Sequence, residues 1–342
     1  MPSWRCALAL LGCVAATTAQ AQTYPSRPIT LVVTAAAGGV SDLIARAVGH
    51  RLTQAWGQQV VIENRGGAAH VLGAQNVARA TPDGYTLLVA EAGTFVTNPH
   101  LYPAGKLPYD TENDFIPITG LIRSNQALVA RNGLPASGVA ELIKLARQRP
   151  GELTYGTAGA GSAPQMNLVK LENMAGVSLR AVHYRGAAPA LNDVMAGHID
   201  IMSISVNLVV QPHQEGKLKV LGVGARQRAP QLPDRPTVSE SLPGYEAVTW
   251  FGLWGPRALP PEIVAKVNSE VQKIFGDPAF QEKFLNAQMF ESMASSPRNS
   301  RPTSGPRPNT GAKSSASRSS RSNEFQSPQA AHRRAAHQCA AM

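Results

Sequence analysis

The sequence predicts an α/β protein with largely parallel sheets. Between residues 28 and 290, short runs rich in β-branched residues alternate with stretches of helical periodicity, which is the pattern of repeated β–α–β units. The 342 residues are enough for two ordinary domains, although one large domain stays possible. The predicted strands cover 29–35, 59–64, 85–91, 127–132, 153–159, 180–184, 199–205 and 218–224. The predicted helices cover 41–56, 70–80, 137–149, 162–175, 187–196, 261–275 and 278–287.

The first helix is amphipathic. The face expected to pack on the sheet carries Leu43, Ile44, Ala47, Val48, Leu52, Ala55 and Trp56, and the face expected to be polar carries Asp42, Arg46 and His50. This spacing predicts that only one side of the helix is buried.

Two predicted strands lead into helices through loops of small residues. These loops are AAAGGVSD at 35–42 and GTAGAGSA at 156–163. A strand that ends in glycines before a helix leaves free N–H groups at the carboxyl edge of a sheet, where open α/β folds bind ligands and where anions are attracted. The loops are about 120 residues apart, which predicts one loop in each of two domains facing a shared cleft. A purely structural role as tight turns stays open.

Other chemistries have less support. Neither loop has the third glycine of a dinucleotide site or the lysine of a phosphate loop. Ser41 and Ser162 stand outside GxSxG and are typical of helix N-caps rather than nucleophiles. The histidines lack metal-ligand spacing, so we expect no catalytic residue, metal or cofactor. Arg65 and Arg185 are candidate partners for a carboxylate or ordinary surface charges, and His183 could line a cleft.

The first 21 residues are typical of an export signal. Arg5 precedes an apolar run, and Ala19 and Ala21 form an A-x-A cleavage site. A lipoprotein-type box ending at Cys13 is a less favoured alternative. We therefore expect a periplasmic protein.

The high pI of about 9.8 comes mainly from the tail. From Arg298 onward there are eight Lys or Arg against one acid, so the rest of the chain is nearly neutral and no nucleic-acid partner is expected. Residues 297–342 are rich in Pro, Ser and Arg, which predicts a disordered basic tail. Shifting the reading frame of a plausible coding sequence for 298–306 gives an amphipathic helix, which favours the hypothesis of a frameshifted ending.

Several phrases together resemble one family. They are YPSRPITLVV, GGVSD, VVIENRGG, TPDGYTLL, NPHLYP, LPYD, DFIPI, GAAPALNDVMAGHIDIM, GKLKVLGV, LPDRPTVSESLPGYE and WFGLWGP. Over residues 24 to 296 the chain is similar to the periplasmic substrate-binding receptors of tripartite tricarboxylate transporters, the Bug family.

The resemblance implies a two-lobe type II periplasmic binding protein fold, the Venus flytrap, with two crossover strands. Lobe 1 would comprise 24–122 and 247–296, and lobe 2 would comprise 123–246. The chain would be a monomer that binds a small carboxylate between the lobes and delivers it to the large and small membrane subunits of a transporter. A ligand sensor for a regulatory partner, or less favourably an enzyme of the same fold, is the alternative.

Carried onto this sequence, the resemblance and the two loops predict a set of ligand-binding residues. They are Ala37, Gly38, Gly39, Val40, Ser41, Thr94, Thr157, Gly159, Gly161, Ser162, Tyr184 and Ser203. The amides of the first loop would hold a carboxylate, and the second loop would hold the other end of the ligand.

The sequence also departs from the family pattern. Ala35 and Ala37 stand where an aromatic residue and a proline are common, and Gln165 stands where a histidine is frequent. Ser203–Ser205 replaces a segment that often carries an acid. Because that acid would pair with an ammonium group, a ligand without an amine is favoured.

Overall fold

The computed structural model describes residues 24–67 and 69–294 and has the predicted α/β architecture. The predicted signal at 1–21, the alternative site at Cys13 and the tail at 297–342 with its frameshift lie outside the described residues. The strands are β1 (Ile29–Val33), β2 (Val60–Asn64), β3 (Thr86–Glu91), β4 (Phe115–Arg131), β5 (Thr154–Thr157), β6 (Arg180–His183), β7 (Ile201–Ser205), β8 (Leu218–Val223), β9 (Val248–Pro256) and β10 (Phe290–Ser292).

Helices follow most of the parallel strands. They are α1 (Val40–Trp56), α2 (Val71–Ala78), α3 (Asn98–Leu101), α4 (Val139–Gln148), α5 (Ala163–Ala175), α6 (Ala187–Ala196), α7 (Val210–Gln214), α8 (Val238–Ser241), α9 (Pro261–Gly276) and α10 (Pro278–Phe280). Gly93–Thr97 and Gln281–Asn286 form π-helical turns.

The strands form two sheets that share β4. Sheet 1 has the order β2-β1-β3-β9-β4, and β10 also pairs with β4. Sheet 2 has the order β8-β4-β7-β5-β6. The pairs among β1, β2 and β3 and those among β5, β6 and β7 are parallel, whereas β9 runs antiparallel to its neighbours. The carboxyl ends of the parallel strands therefore supply the loops before α1, α5 and α6.

β4 passes from one sheet to the other. Its residues 115–125 pair with β9, and its residues 126–131 pair with β7 and β8. At the change of partner, the Gln126 amide donates to the Ala247 carbonyl (3.1 Å), and the Gly224 amide donates to the Gln126 carbonyl (2.6 Å). Three chain segments thus meet at this point, which we call the hinge (Gln126, Gly224 and Ala247). The predicted lobe boundaries at 122 and 247 stay a prediction.

Both faces of each sheet are covered by helices. In sheet 1, α1 and α9 bury Ile44, Leu52 and Val267 against one face, while α2 covers the face that carries Trp254. In sheet 2, α4 and α5 lie on one face and α6 and α7 on the other. Each fully buried leucine or isoleucine contributes about 1.5–3 kcal/mol, so each sheet has its own stabilising core.

Candidate functional site

Three helices begin where the two sheets face each other. A Cβ atom built on Gly38, just before α1, would lie 3.6 Å from the Cβ of Ala188 in the first turn of α6. One built on Gly186 would lie 2.8 Å from the Cβ of Ala36. One built on Gly161, just before α5, would lie 2.5 Å from Cδ1 of Leu101. The first loop therefore meets the start of α6, and the second loop meets α3, at the junction between the sheets.

The start of α1 presents amide groups without partners. Gly39 occupies the N-cap position with extended backbone (φ −86°), and its side chain can cap nothing. The amide of Gly38 donates to the Asp42 carboxylate at 3.0 Å. Within residues 24–67 and 69–294, no hydrogen bond uses the amides of Gly39, Val40 or Ser41. Free amides and the positive end of the helix dipole suit an anion.

Asp42 is a correction to the predicted polar face of α1. Its side chain is buried, with 5% exposed, and it accepts a hydrogen bond from Arg46 at 3.0 Å. Burial alone would raise the pKa of Asp42, but hydrogen bonds from Arg46, Gly38 and Asn64 outweigh it, so this pKa lies below its usual value. A fixed negative charge thus holds the first loop in place. Ser41 is likewise not an N-cap, since α1 begins one residue earlier.

The start of α5 is different, because its amides are already used. Gly159 donates to Thr157 Oγ1 (3.2 Å), and Gly161 donates to Gln165 Oε1 (2.6 Å). The amide of Ala163 donates to Glu91 Oε1 at 3.4 Å, across the junction. The expectation of free amides in this loop is therefore wrong. Ser162 is the N-cap, but its hydroxyl donates back to the Gly159 carbonyl (2.6 Å) instead of capping the helix.

The other predicted site residues differ in their exposure and in their hydrogen-bond partners. Ala37 and Gly38 are exposed. Thr94 is fully buried, and its hydroxyl oxygen has no hydrogen-bond partner among the described residues. The Tyr184 hydroxyl donates to Asp193 at 2.5 Å, and Ser203 accepts from Asn167 at 3.0 Å, so both side chains bond within sheet 2 and its helices.

The two candidate arginines lie in different surroundings. Arg65 pairs with Glu63 at 2.7 Å and lines an open cavity of about 800 Å³ beside β2 and α2. Arg185 is exposed, and it is its carbonyl that approaches Gly66. A second cavity, of about 600 Å³, lies by the hinge, between Arg226 and Phe290.

A family profile decides what kind of protein this is. The profile of the tripartite tricarboxylate transporter family receptor matches residues 44–301. The chain belongs to this receptor family. Receptors of this family bind solutes and do not transform them, so the chain is a receptor and not an enzyme.

Named relatives and solved structures agree with this assignment. The receptor is 37% identical over 257 residues to the UPF0065 protein in the tcbD–tcbE intergenic region of Pseudomonas sp. (strain P51), covering 75% of this chain and 76% of that protein. It superposes with a TM-score of 0.77 on an R. palustris protein solved with adipate, at 34% identity, covering 80% of this chain and 91% of that one. The periplasmic binding protein BugD gives a TM-score of 0.75 at 34% identity, with the same coverage. The expected two-lobe fold is confirmed.

Sequence reasoning missed two buried charged residues of the receptor, His70 and Glu91. His70 Nε2 lies 3.1 Å from Glu91 Oε1, and both side chains are at most 10% exposed. Burial alone would lower the pKa of His70 and raise that of Glu91, but their attraction outweighs it. The pKa of His70 is therefore raised and that of Glu91 lowered. The available signal was Glu91 itself, an acid that ends the apolar strand β3 at the edge where ligands bind.

Within the described parts of the receptor, no cluster of histidine, cysteine or acidic side chains could hold a metal ion. The described helices also include none that is both long enough and apolar enough to cross a membrane.

Proposed function

We propose that the receptor binds a small carboxylate between its lobes and delivers it to the membrane subunits of a tripartite tricarboxylate-type transporter. The observation that carries this proposal is the set of unpartnered amides at the start of α1 (Gly39, Val40 and Ser41), which faces the start of α6 on the other lobe. Adipate in the similar R. palustris structure supports a carboxylate as the ligand.

The contacts at the start of α1 are strong enough to support micromolar binding of a carboxylate. A hydrogen bond to a charged group contributes about 1.5–3 kcal/mol, and a partly buried helix terminus adds up to about 2 kcal/mol. Micromolar binding needs about 8 kcal/mol, so a few such contacts suffice once closure of the lobes excludes water.

The proposed function also implies a cellular location, an oligomeric state and partners for the receptor. The receptor would be exported by residues 1–21 to the periplasm, act as a monomer without cofactor or nucleic acid, and meet the large and small permease components there. Closure would bring lobe 2 (123–246) onto lobe 1 (24–122 and 247–296).

Thermal unfolding with a panel of carboxylates tests binding. We expect at least one small carboxylate to raise the melting temperature in a concentration-dependent way while its amount stays constant over hours. Stabilisation by none of them would contradict the proposal. Delivery is tested by uptake of the stabilising acid into cells, which deletion of the gene should abolish and the wild-type gene should restore.

A further inference from the structure

A cluster of buried polar side chains lies beside the start of α5 and takes no part in the proposed carboxylate contact at α1. It comprises His70, Glu91, Thr94 and Asn98, which we call the Glu91 cluster. Asn98 and Thr94 are 0% exposed, and Asn98 Oδ1 and Thr94 Oγ1 have no hydrogen-bond partner in the described chain. Buried polar atoms are nearly always paired, so unpaired ones beside a helix start at the junction of the sheets point to a ligand.

The orientation of Asn98 is fixed by its neighbours. Its Nδ2 donates to the carbonyl of Ala69 (2.7 Å) and to the hydroxyl of Tyr109 (2.9 Å), and that hydroxyl donates to the Thr94 carbonyl (2.8 Å). A flipped amide would turn its oxygen towards the Ala69 carbonyl and lose that bond. Asn98 Oδ1 must therefore face lobe 2 as an acceptor, and a Cβ built on Gly161 would lie 3.0 Å from it.

The number of protons on the His70–Glu91 pair is also fixed. His70 Nδ1 lies 2.9 Å from the carbonyl of Thr34, which can only accept, so Nδ1 carries a hydrogen. Nε2 lies against the Glu91 carboxyl, and this contact needs one further proton. The pair is therefore neutral overall, while Glu91 still accepts a hydrogen bond from the Ala163 amide.

Acceptors from both lobes thus face one another beside α5. A Cβ built on Gly93 would lie 2.8 Å from the Gly161 carbonyl oxygen and 3.4 Å from Glu91 Oε1. Asn98 Oδ1 is a further acceptor beside Gly161, since a Cβ built on Gly161 would lie 3.0 Å from it. A carboxylate placed there would add lone pairs and would have to displace Glu91 from the amide of Ala163. A ligand group with N–H or O–H hydrogens would instead donate hydrogen bonds to these acceptor atoms.

A cation is disfavoured at the same place. The starts of α1, α5 and α6 turn their positive ends towards the junction. The His70–Glu91 pair leaves no net negative charge to offset them, and the charge of Asp42 is balanced by Arg46.

We propose that the receptor selects a monocarboxylate whose far end is an uncharged hydrogen-bond donor, a hydroxyl or a primary amide, over dicarboxylates and amino acids. This inference rests on the proposed function, because it takes the ligand carboxylate to lie at α1. Glu91 and Asn98 are then specificity-determining residues.

Calorimetric titration of the wild-type receptor with matched acids tests the inference. One series consists of adipate, its monoamide, 6-hydroxyhexanoate, 6-aminohexanoate and hexanoate, and a four-carbon series is matched to it. We expect the monoamide or the hydroxy acid to bind at least about tenfold more tightly than the other members of its series. A dicarboxylate or amino acid as the tightest ligand would overturn the inference while leaving the proposed function intact. Absence of binding by every acid would instead refute the proposed function.

The variant Glu91→Gln tests the cause of the preference. A glutamine can donate to Nε2 of neutral His70, so the pair stays satisfied and the fold should persist. We expect the preference for the monoamide over the dicarboxylate to fall at least about tenfold. Glu152→Gln, an exposed glutamate before β5, serves as the matched control and should leave the preference unchanged. An unchanged preference in Glu91→Gln would remove Glu91 from the explanation.

Discussion

His70 combines an unfavourable backbone conformation with a buried charged side chain. Its backbone is left-handed (φ 70°), as is that of Ala69 (φ 58°), although both residues carry a Cβ. Such conformations cost on the order of 1–3 kcal/mol and are concentrated at functional sites. The same residue buries its imidazole against a carboxylate, which is stabilising only while both partners are present. The surrounding contacts of His70 therefore have to offset a locally unfavourable arrangement.

We predict that His70→Asn lowers the free energy of unfolding by about 3–5 kcal/mol near neutral pH. Asparagine tolerates left-handed backbone, so the change removes the ion pair without adding strain. The double variant with Glu91→Gln should lose less than the sum of the single losses, by at least about 1 kcal/mol, since it leaves no charge unpaired. Denaturant unfolding of the four proteins measures this coupling, and additive losses would contradict it.

The same pair predicts how stability depends on pH. The folded pKa of His70 is raised, so its contribution is present at low pH and is lost as the pH rises through that value. The folded pKa of Glu91 is lowered, so its contribution is lost as the pH falls through that value. Unfolding from about pH 3 to about pH 9 should show both losses in the wild type and neither in the double variant. Parallel pH profiles for the two proteins would contradict the assignment.

At the scale of elements, the sequence predicted helices better than long strands. The helix over 187–196 has the predicted bounds, because its apolar spacing and flanking glycines are unambiguous. β4 begins at Phe115, whereas the predicted strand began at 127. Proline and glycine usually interrupt strands, but β4 accommodates Pro117 and Gly120 next to shifts in its register with β9. No predicted strand covers β9, because an aromatic run buried on both faces shows no alternation.

The strand–loop–helix pattern located the starts of α1 and α5 but not their hydrogen bonds. That the ligand binds at these loops stays a prediction. The pattern could not show that Gln165 and Glu91 already occupy the amides of the second loop, because those partners lie four and seventy-two residues away. Side-chain capping of this kind depends on tertiary contacts.

At the second loop, we predict that Gly161→Ala weakens carboxylate binding at least about tenfold. The added Cβ would lie 2.5 Å from Leu101 and would keep the lobes apart. Gly176→Ala, at the other end of α5, has a similar backbone (φ 63°) but open space around it, so it controls for left-handed strain. Both variants should lose about 1–2 kcal/mol of stability, and only the first should lose affinity. Equal affinities would contradict this role for Gly161.

At the scale of the whole molecule, the lobes are joined where three backbone segments bond to one another. A Cβ on Gly224 would lie 2.6 Å from the Cβ of Ala247 and 3.0 Å from the Gln126 carbonyl oxygen, so this hinge requires a glycine. Near it, the Ser124 hydroxyl donates to Ser205 Oγ at 3.0 Å, which links the two sheets further. Hinge residues are few and absorb the change in backbone angles, so we expect any movement between the sheets to be sensitive to these positions.

We predict that Gly224→Ala lowers the free energy of unfolding by about 1–3 kcal/mol, because neither neighbouring strand can move aside without breaking hinge hydrogen bonds. Gly276→Ala, at the exposed end of α9, is the control, since nothing lies within 4 Å of its added Cβ, and it should lower stability by less than about 0.5 kcal/mol. Denaturant unfolding compares the two. Equal effects would mean that the hinge tolerates a side chain.

The central claim is that backbone amides at the start of α1 hold the carboxylate of the ligand, and Gly39 allows the most direct test. Its φ of −86° suits proline, and an added Cβ would meet only the Ala36 carbonyl oxygen at 3.8 Å, so both Gly39→Ala and Gly39→Pro should fold. Alanine keeps the amide hydrogen and proline removes it. Calorimetric titration with the panel acid that most stabilises the wild type should show near wild-type affinity for Gly39→Ala and a loss of at least about tenfold for Gly39→Pro. Equal, wild-type affinity in both folded variants would contradict the claim.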